Sequence, residues 1–106
     1  MDLGDLIDAL DKRDPKLAVK HGFGNPHSYR GDYWDLAFEE ISDTTVGKML
    51  EAAQSAVGTT YQGWKGGDFH MDRHTWCWLS EEGRASGETI SARLLEYILD
   101  EAERAA

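Results

Sequence analysis

The segment from His21 to Tyr33 gathers several side chains that are capable of chemistry. It holds histidine, serine, tyrosine, arginine and aspartate side chains on a backbone rich in glycine. A guanidinium such as that of Arg30 makes a forked, two-bond contact with phosphate or carboxylate, and an imidazole exchanges protons near neutral pH. We therefore predict a ligand- or partner-binding segment, whose candidate residues are His21, Asn25, His27, Tyr29, Arg30 and Asp32.

Catalysis by this segment is the weaker hypothesis. Ser28 follows His27 directly, but a nucleophile and its base must meet in space, which adjacency in sequence does not provide. A structural role is the alternative, in which Arg30 pairs with Asp32 or Asp35 and the segment is a long loop held against the core. We therefore assign no catalytic residue.

A second glycine-rich stretch, residues 61–68, adds Trp64 and Lys65 to the candidate binding residues. It is not a P-loop, because no serine or threonine follows Lys65 and no helical pattern begins directly after it. The structural alternative is a tight turn with Trp64 packed inward.

The residues His70, Asp72, His74 and Cys77 have side chains that bind metals. The local pattern is that of a strand, on which His70 and His74 would lie about 13 Å apart, too far to share one ion. Cys77 is the only cysteine, which excludes an internal disulfide and a four-cysteine zinc site. We predict neither a metal site nor a cofactor.

Hydrophobic periodicity predicts the elements that must position these residues. Leucine and isoleucine at helical spacing indicate a first helix, which Asp14-Pro15 would end. A second helix would be capped by Asp43 or Thr44, and a third by Ser86. In chain order we predict a helix from Asp2 to Lys12, a strand from Leu17 to Lys20, a loop from His21 to Tyr33, a strand from Trp34 to Phe38, a helix from Thr45 to Val57, two short strands around Phe69–Met71 and Trp76–Trp78, and a helix from Glu88 to Arg104.

This order, α-β-β-α-β-β-α, predicts one α+β domain over residues 1–106, with a small, mainly antiparallel sheet packed by about three helices. The short link around Arg73 favours a hairpin there. Trp76 and Trp78 would share one side of the sheet, normally the core side; if that side were exposed, the two indoles would be strong anchors for a protein partner.

The composition limits the classes of partner. Twenty acidic side chains against eleven basic ones give a net charge of −9. Because affinity for nucleic acid depends on lysine and arginine displacing counterions, direct nucleic-acid binding is disfavoured. No apolar run reaches the roughly 18 residues that a membrane span needs. No basic stretch followed by an apolar one opens the sequence, so we expect a cytoplasmic protein without a secretory signal.

The chain also resembles a known group. The run HGFGNPHSYRGDYWDLAF, then Thr45-Val46-Gly47, the run TYQGWKGG from Thr60, and Gly87-Glu88-Thr89-Ile90 are similar to small uncharacterised proteins encoded by actinobacterial phages and prophages. The resemblance covers most of the chain after about Leu10. It implies a phage or prophage origin and a location in the cytoplasm of the host cell, and it transfers no catalytic residue.

Three functions therefore stay open. The leading hypothesis is a phage accessory protein, more a binding module than an enzyme, that inhibits or modulates a host or defence protein, plausibly one that processes nucleic acid. The alternative is a small nucleotide- or phosphate-binding enzyme that uses the His21–Tyr33 loop, with Lys65 assisting. The third is an assembly protein. We expect a monomer or a small homo-oligomer.

Overall fold

The computed structural model describes residues 1–28, 35–62, 68–80 and 87–106 of the chain. These ranges contain three helices and a four-stranded, mostly antiparallel sheet, which confirms the predicted α+β class. The elements are α1 (Leu3–Asp11), β1 (Ala18–Ser28), β2 (Leu36–Thr45), α2 (Val46–Ala56), β3 (Thr60–Gln62), β4 (Asp68–His70), β5 (Cys77–Ser80), β6 (Gly87–Thr89) and α3 (Ala92–Ala105).

Each helix begins after a residue whose side-chain oxygen accepts a hydrogen bond from a backbone N–H three positions later. The caps are Asp2 for α1, Thr45 for α2 and Ser91 for α3. The predicted span of the first helix is confirmed to within one residue at each end. The cap predicted at Asp43 or Thr44 was wrong, because both residues still belong to β2 and the chain turns helical only after Thr45.

The third helix begins later than its predicted start at Glu88. Residues Gly87–Thr89 form β6, which pairs with β5, and the chain stays extended as far as Ser91. The predicted cap, Ser86, lies outside the described residues. Within the helix, Leu95, Leu99 and Ala102 are buried, while Leu94 and Ile98 are half-buried.

The main sheet has four strands in the order β1-β2-β5-β6. β1 with β2 and β5 with β6 are antiparallel, whereas β2 and β5 are parallel, with Leu36 opposite Cys77. The hairpin predicted near Arg73 was therefore wrong. β4 pairs instead with β3 in a separate two-stranded sheet, whereas β5 belongs to the main sheet and pairs with β2.

β1 is much longer than predicted. It continues through Ser28, so the first half of the predicted His21–Tyr33 loop is a strand, while residues 29–34 lie outside the described ones. Its glycines permit close packing rather than a loop. A Cβ on Gly22 would lie 2.5 Å from Thr44 Cγ2 and 3.0 Å from Met49 Sδ, and one on Gly24 would lie 2.6 Å from Ile41 Cδ1.

β2 also differs from its prediction over Trp34–Phe38. It begins at Leu36 and continues through a polar stretch to Thr45, held in register by β1, with Val19 opposite Thr44. Tertiary pairing thus overrides the weak strand pattern of those polar residues.

The core lies between the main sheet and the helices. It combines Phe23, Leu36, Phe38, Cys77 and Leu79 from the strands with buried residues of all three helices. The rings of Phe23 and Phe38 lie 5.1 Å apart at 54°, a favourable tilted arrangement.

Candidate functional site

A groove of about 740 Å³ lies between the start of β1, the end of β2 and the second half of α3. Its volume is within the range of sites that bind ligands or side chains. β1 contributes Ala18 to His21, β2 contributes Asp43 to Thr45, and α3 contributes residues from Tyr97 onward. The groove is thus built by segments that are distant in sequence, brought together by the β1–β2 pairing and by the packing of α3 against β1.

The groove has an apolar floor because small side chains line it. Ala18 on β1 and Ala102 and Ala105 on α3 fill little of the space between strand and helix. Ile98 is half-buried there, while the ring of Tyr97 is 60% exposed, the most exposed large hydrophobic side chain in the described part of the chain. The groove therefore offers apolar surface beside one accessible aromatic ring.

Four of the groove-lining residues have a charged side chain or an imidazole ring. They are Lys20 and His21 of β1, Asp43 of β2 and Glu101 of α3, and all four residues are exposed. None of the four has a side-chain hydrogen bond or ion pair to another described residue. Their hydrogen-bonding groups are therefore free to bind a partner.

The other acidic residues of the same half of α3 are already paired. Arg13 donates to Glu103 Oε1 at 2.6 Å and to Asp100 Oδ1 at 3.4 Å. The hydrogen bond to Glu103 raises the pKa of the Arg13 guanidinium. α3 thus has one edge on which Asp100 and Glu103 share Arg13, and one edge, that of Glu101, open to the groove.

The structure separates the predicted site residues that it describes. His21 lines the groove, whereas Asn25 and His27 lie beyond it on β1, roughly 13 Å and 20 Å from His21 at the usual rise of about 3.3 Å per residue. Asn25 and His27 sit at an irregularity in the pairing with β2, where Asn25 has a φ of 46°. The two histidines therefore do not form one site.

The side chains at this irregularity are satisfied internally. His27 Nδ1 lies 3.1 Å from the carbonyl oxygen of Asn25, and the Asn25 amide donates to Glu39 Oε2 at 3.4 Å. These contacts stabilise a bulge-like kink in the strand. Asn25 and His27 thus take part in this kink, and their role in binding stays a prediction.

The remaining predicted site residues, Tyr29, Arg30, Asp32, Trp64 and Lys65, lie outside the described residues. Their role in ligand or partner binding stays a prediction.

Sequence reasoning missed the contribution of α3 to the site. Tyr97 is a large exposed ring on the polar side of that helix, four residues before Glu101. An aromatic ring and a carboxylate one turn apart on a solvent-facing helix surface are the signal that could have indicated it.

The histidines and the cysteine of residues 70–77 are used locally. His70 Nδ1 lies 3.1 Å from Thr60 Oγ1, and Asp72 Oδ1 accepts from the backbone N–H of His74 at 2.8 Å. Burial raises the pKa of the Cys77 thiol to about 12, so it stays protonated at neutral pH. Across ranges 1–28, 35–62, 68–80 and 87–106, no cluster of three metal-binding side chains occurs.

The two tryptophans face away from the core. Cys77, Leu79 and Ser80 are the buried residues of β5. Trp76 is 44% exposed, and Trp78 is half-buried and donates from Nε1 to Asp35 Oδ2 at 3.0 Å. The expectation that both indoles pack in the core was therefore wrong. Trp76 is paired through its backbone with Asp2, at the start of α1.

No protein family, curated protein or solved structure matches this chain. None of the helices within the described residues is both long and apolar enough to cross a bilayer.

Proposed function

We propose that this protein is a phage or prophage accessory protein that binds a host or defence protein and inhibits or modulates it. The partner we propose is a nucleic-acid-processing enzyme. The observation that carries this proposal is the groove between β1, β2 and α3, which combines apolar surface with unpaired carboxylates on a strongly acidic chain.

Charge complementarity supports this class of partner. Enzymes that act on nucleic acid carry lysine and arginine where the phosphate backbone binds. A chain of net charge −9 is attracted to such a surface, and the attraction accelerates encounter and selects the orientation. Asp43 and Glu101 supply negative charge at the groove itself.

The apolar part of the groove supports tight binding. Aromatic residues near the centre of an interface carry much of its binding energy when a partner excludes water from them. Tyr97 is such a residue, exposed in the free protein and flanked by Ile98. Burial of its ring and of the neighbouring alanines would supply energy that charge attraction alone does not.

The same carboxylates oppose the alternative function at this site. A nucleotide or phosphate bound in the groove would meet Asp43 and Glu101 as well as Lys20 and His21. We therefore do not propose phosphate binding in the groove, and the experiment below tests it as the alternative.

The test is affinity capture followed by reconstitution. The wild-type chain and the double variant Tyr97→Ala/Glu101→Lys are immobilised and exposed to actinobacterial lysate at physiological salt. We expect a basic nucleic-acid-processing enzyme to be enriched on the wild type only. The enzyme is then purified and assayed with increasing amounts of each chain.

Stoichiometric loss or change of that enzyme's activity with the wild type, but not with the double variant, would support the proposal. Capture of no such enzyme, or an unchanged activity in reconstitution, would contradict it. Stabilisation of the chain by ATP or inorganic phosphate in a thermal-shift assay, lost in Arg30→Ala, would favour the alternative.

A further inference from the structure

The size of the groove limits what can occupy it. The α3 residues from Tyr97 to Ala105 span about 12 Å at a rise of about 1.5 Å per residue. That length accommodates about four residues of an extended chain, or two turns of a helix. The occupant is therefore a short segment with one or two apolar side chains, rather than a broad surface.

The rim of the groove favours arginine. Tyr97 and Glu101 are four residues apart on α3, so their side chains lie one turn apart on the same side of the helix. A guanidinium can stack on an aromatic ring and at the same time pair with a carboxylate, which an ammonium group does less well. Asp43, on the β2 side of the groove, offers a second carboxylate.

The same charges disfavour a second copy of this chain as the occupant. Two copies would bring together chains that each carry a net charge of −9, and the side chains lining the groove add two carboxylates against one lysine. Like charges brought together at an interface cost binding energy.

From these observations we infer that the groove is a docking site for a short cationic segment of a partner protein. One or two apolar side chains of that segment lie on the alanine-lined floor, and an arginine beside them stacks on Tyr97 and pairs with Glu101. This inference rests on the proposed function for the source of the segment. The site itself is defined by the groove.

The direct test uses synthetic peptides and no lysate. The probe is a fluorescein-labelled eight-residue peptide with two central leucines between two arginines. Analogues replace both arginines with lysine or with glutamate, or both leucines with serine. Binding is measured by fluorescence polarisation, and the site is mapped by amide chemical shifts of the isotope-labelled protein.

We expect the arginine peptide to bind and to shift the amides of Ala18–His21 and of the second half of α3. The lysine peptide should bind several-fold more weakly, and the glutamate and serine peptides should not bind measurably. Raising the salt concentration should weaken binding of the arginine peptide, because its charge contacts are near the surface.

Variants of the protein distinguish binding in the groove from a general effect of the protein's net charge. Tyr97→Ala should weaken binding by about tenfold or more, as expected for an interface anchor, while Tyr97→Phe should retain it. Glu101→Lys should weaken binding by up to about fivefold, the range of a surface ion pair. Glu96→Lys makes the same change in net charge on α3 outside the groove-lining set, and should change binding by less than about twofold.

Equal losses in Glu101→Lys and Glu96→Lys, or shifts that avoid the groove, would overturn the inference. The outcome also separates it from the proposed function. If the chain captures and inhibits its enzyme but Tyr97→Ala and Glu101→Lys do so equally well, the docking site is wrong and the function stands. If the arginine peptide binds the groove but no enzyme is captured, the site stands and the function is wrong.

Discussion

The two halves of β1 carry residues of similar chemical type but differ in what surrounds them. In the first half, Lys20 and His21 are among the groove-lining residues and have no side-chain partner among the described residues. In the second half, Asn25 and His27 are hydrogen-bonded within a kink of the strand, and Asn25 also contacts Glu39. Histidine occurs in both halves, yet only one half contributes to a concave surface.

The difference shows that residue type does not define a site by itself. A polar side chain whose hydrogen bonds are already made within the fold stabilises that fold, whereas one left unpaired beside apolar surface is available to a partner. The distinction arises from α3, which lies over the first half of β1 and contributes Tyr97 and Glu101 there.

The largest effect is expected where the two halves meet the core. Phe23 is 1% exposed and packs against Phe38. Phe23→Ala should lower the free energy of unfolding by about 3–5 kcal/mol, since it removes a buried ring and leaves a cavity. The measurement is urea denaturation followed by circular dichroism.

Phe23→Leu is the control that keeps most of the volume and should cost much less, so that the protein stays folded for comparison. A cost below about 1 kcal/mol for Phe23→Ala would mean that the strand is not anchored in the core at this point.

The next effect distinguishes the two glycines of β1. Gly22→Ala should cost about 1–3 kcal/mol, because its Cβ would meet the branched Thr44 at 2.5 Å as well as Met49. Gly24→Ala should cost less than about 1 kcal/mol, since its Cβ meets only the end of the half-buried Ile41 side chain, which can rotate away.

Both glycine variants are compared by thermal and urea unfolding under the same conditions. If both variants lost the same free energy of unfolding, the close packing of Thr44 and Met49 against Gly22 would not distinguish the first half of β1 from the second.

The kink of the second half gives a smaller effect. Asn25 has a φ of 46°, in the left-handed region that asparagine and glycine tolerate. Asn25→Val should therefore cost about 1–2 kcal/mol, while Asn25→Gly should be close to neutral because glycine adopts this angle without strain. Urea denaturation of the two variants measures these costs. A valine variant as stable as the wild type would contradict the left-handed backbone angle at Asn25.

The smallest effects separate the two histidines. His27→Ala should cost about 0.5–1.5 kcal/mol, because it removes the contact with the Asn25 carbonyl, and should leave peptide binding unchanged. His21→Ala should change stability by less than about 0.5 kcal/mol and should change the affinity for the arginine peptide, because His21 lines the groove.

Unfolding curves and fluorescence polarisation on the two alanine variants provide both readouts. The opposite pattern, with His21 needed for stability and His27 for binding, would exchange the roles that we assign to the two halves.

Much of the fold follows from local pattern. The first two helices were predicted almost to the residue, because leucine, isoleucine and small apolar residues at helical spacing leave little choice of buried face. The strands were predicted less well. The glycines of β1 indicated a loop, since the sequence cannot show that Met49 and Ile41 will lie against them.

The candidate site was predicted only in part. His21 could be named from its type, but the groove depends on the contact of β1 with a helix that begins some seventy residues later, at Ala92. Such long-range placement is set by the packing of the whole core. For the same reason the parallel pairing of β5 with β2 could not be derived from the short link around Arg73.

That parallel pairing has a consequence for how the chain reaches its native state. α2, β3 and β4 lie between Leu36 and Cys77 in the chain. Pairing of these two residues at the centre of the sheet therefore closes a long loop. Loop closure costs chain entropy before the new contacts compensate for it, and proteins dominated by such distant contacts refold slowly. We therefore expect the helices to acquire structure early and the union of β2 with β5 to limit the refolding rate.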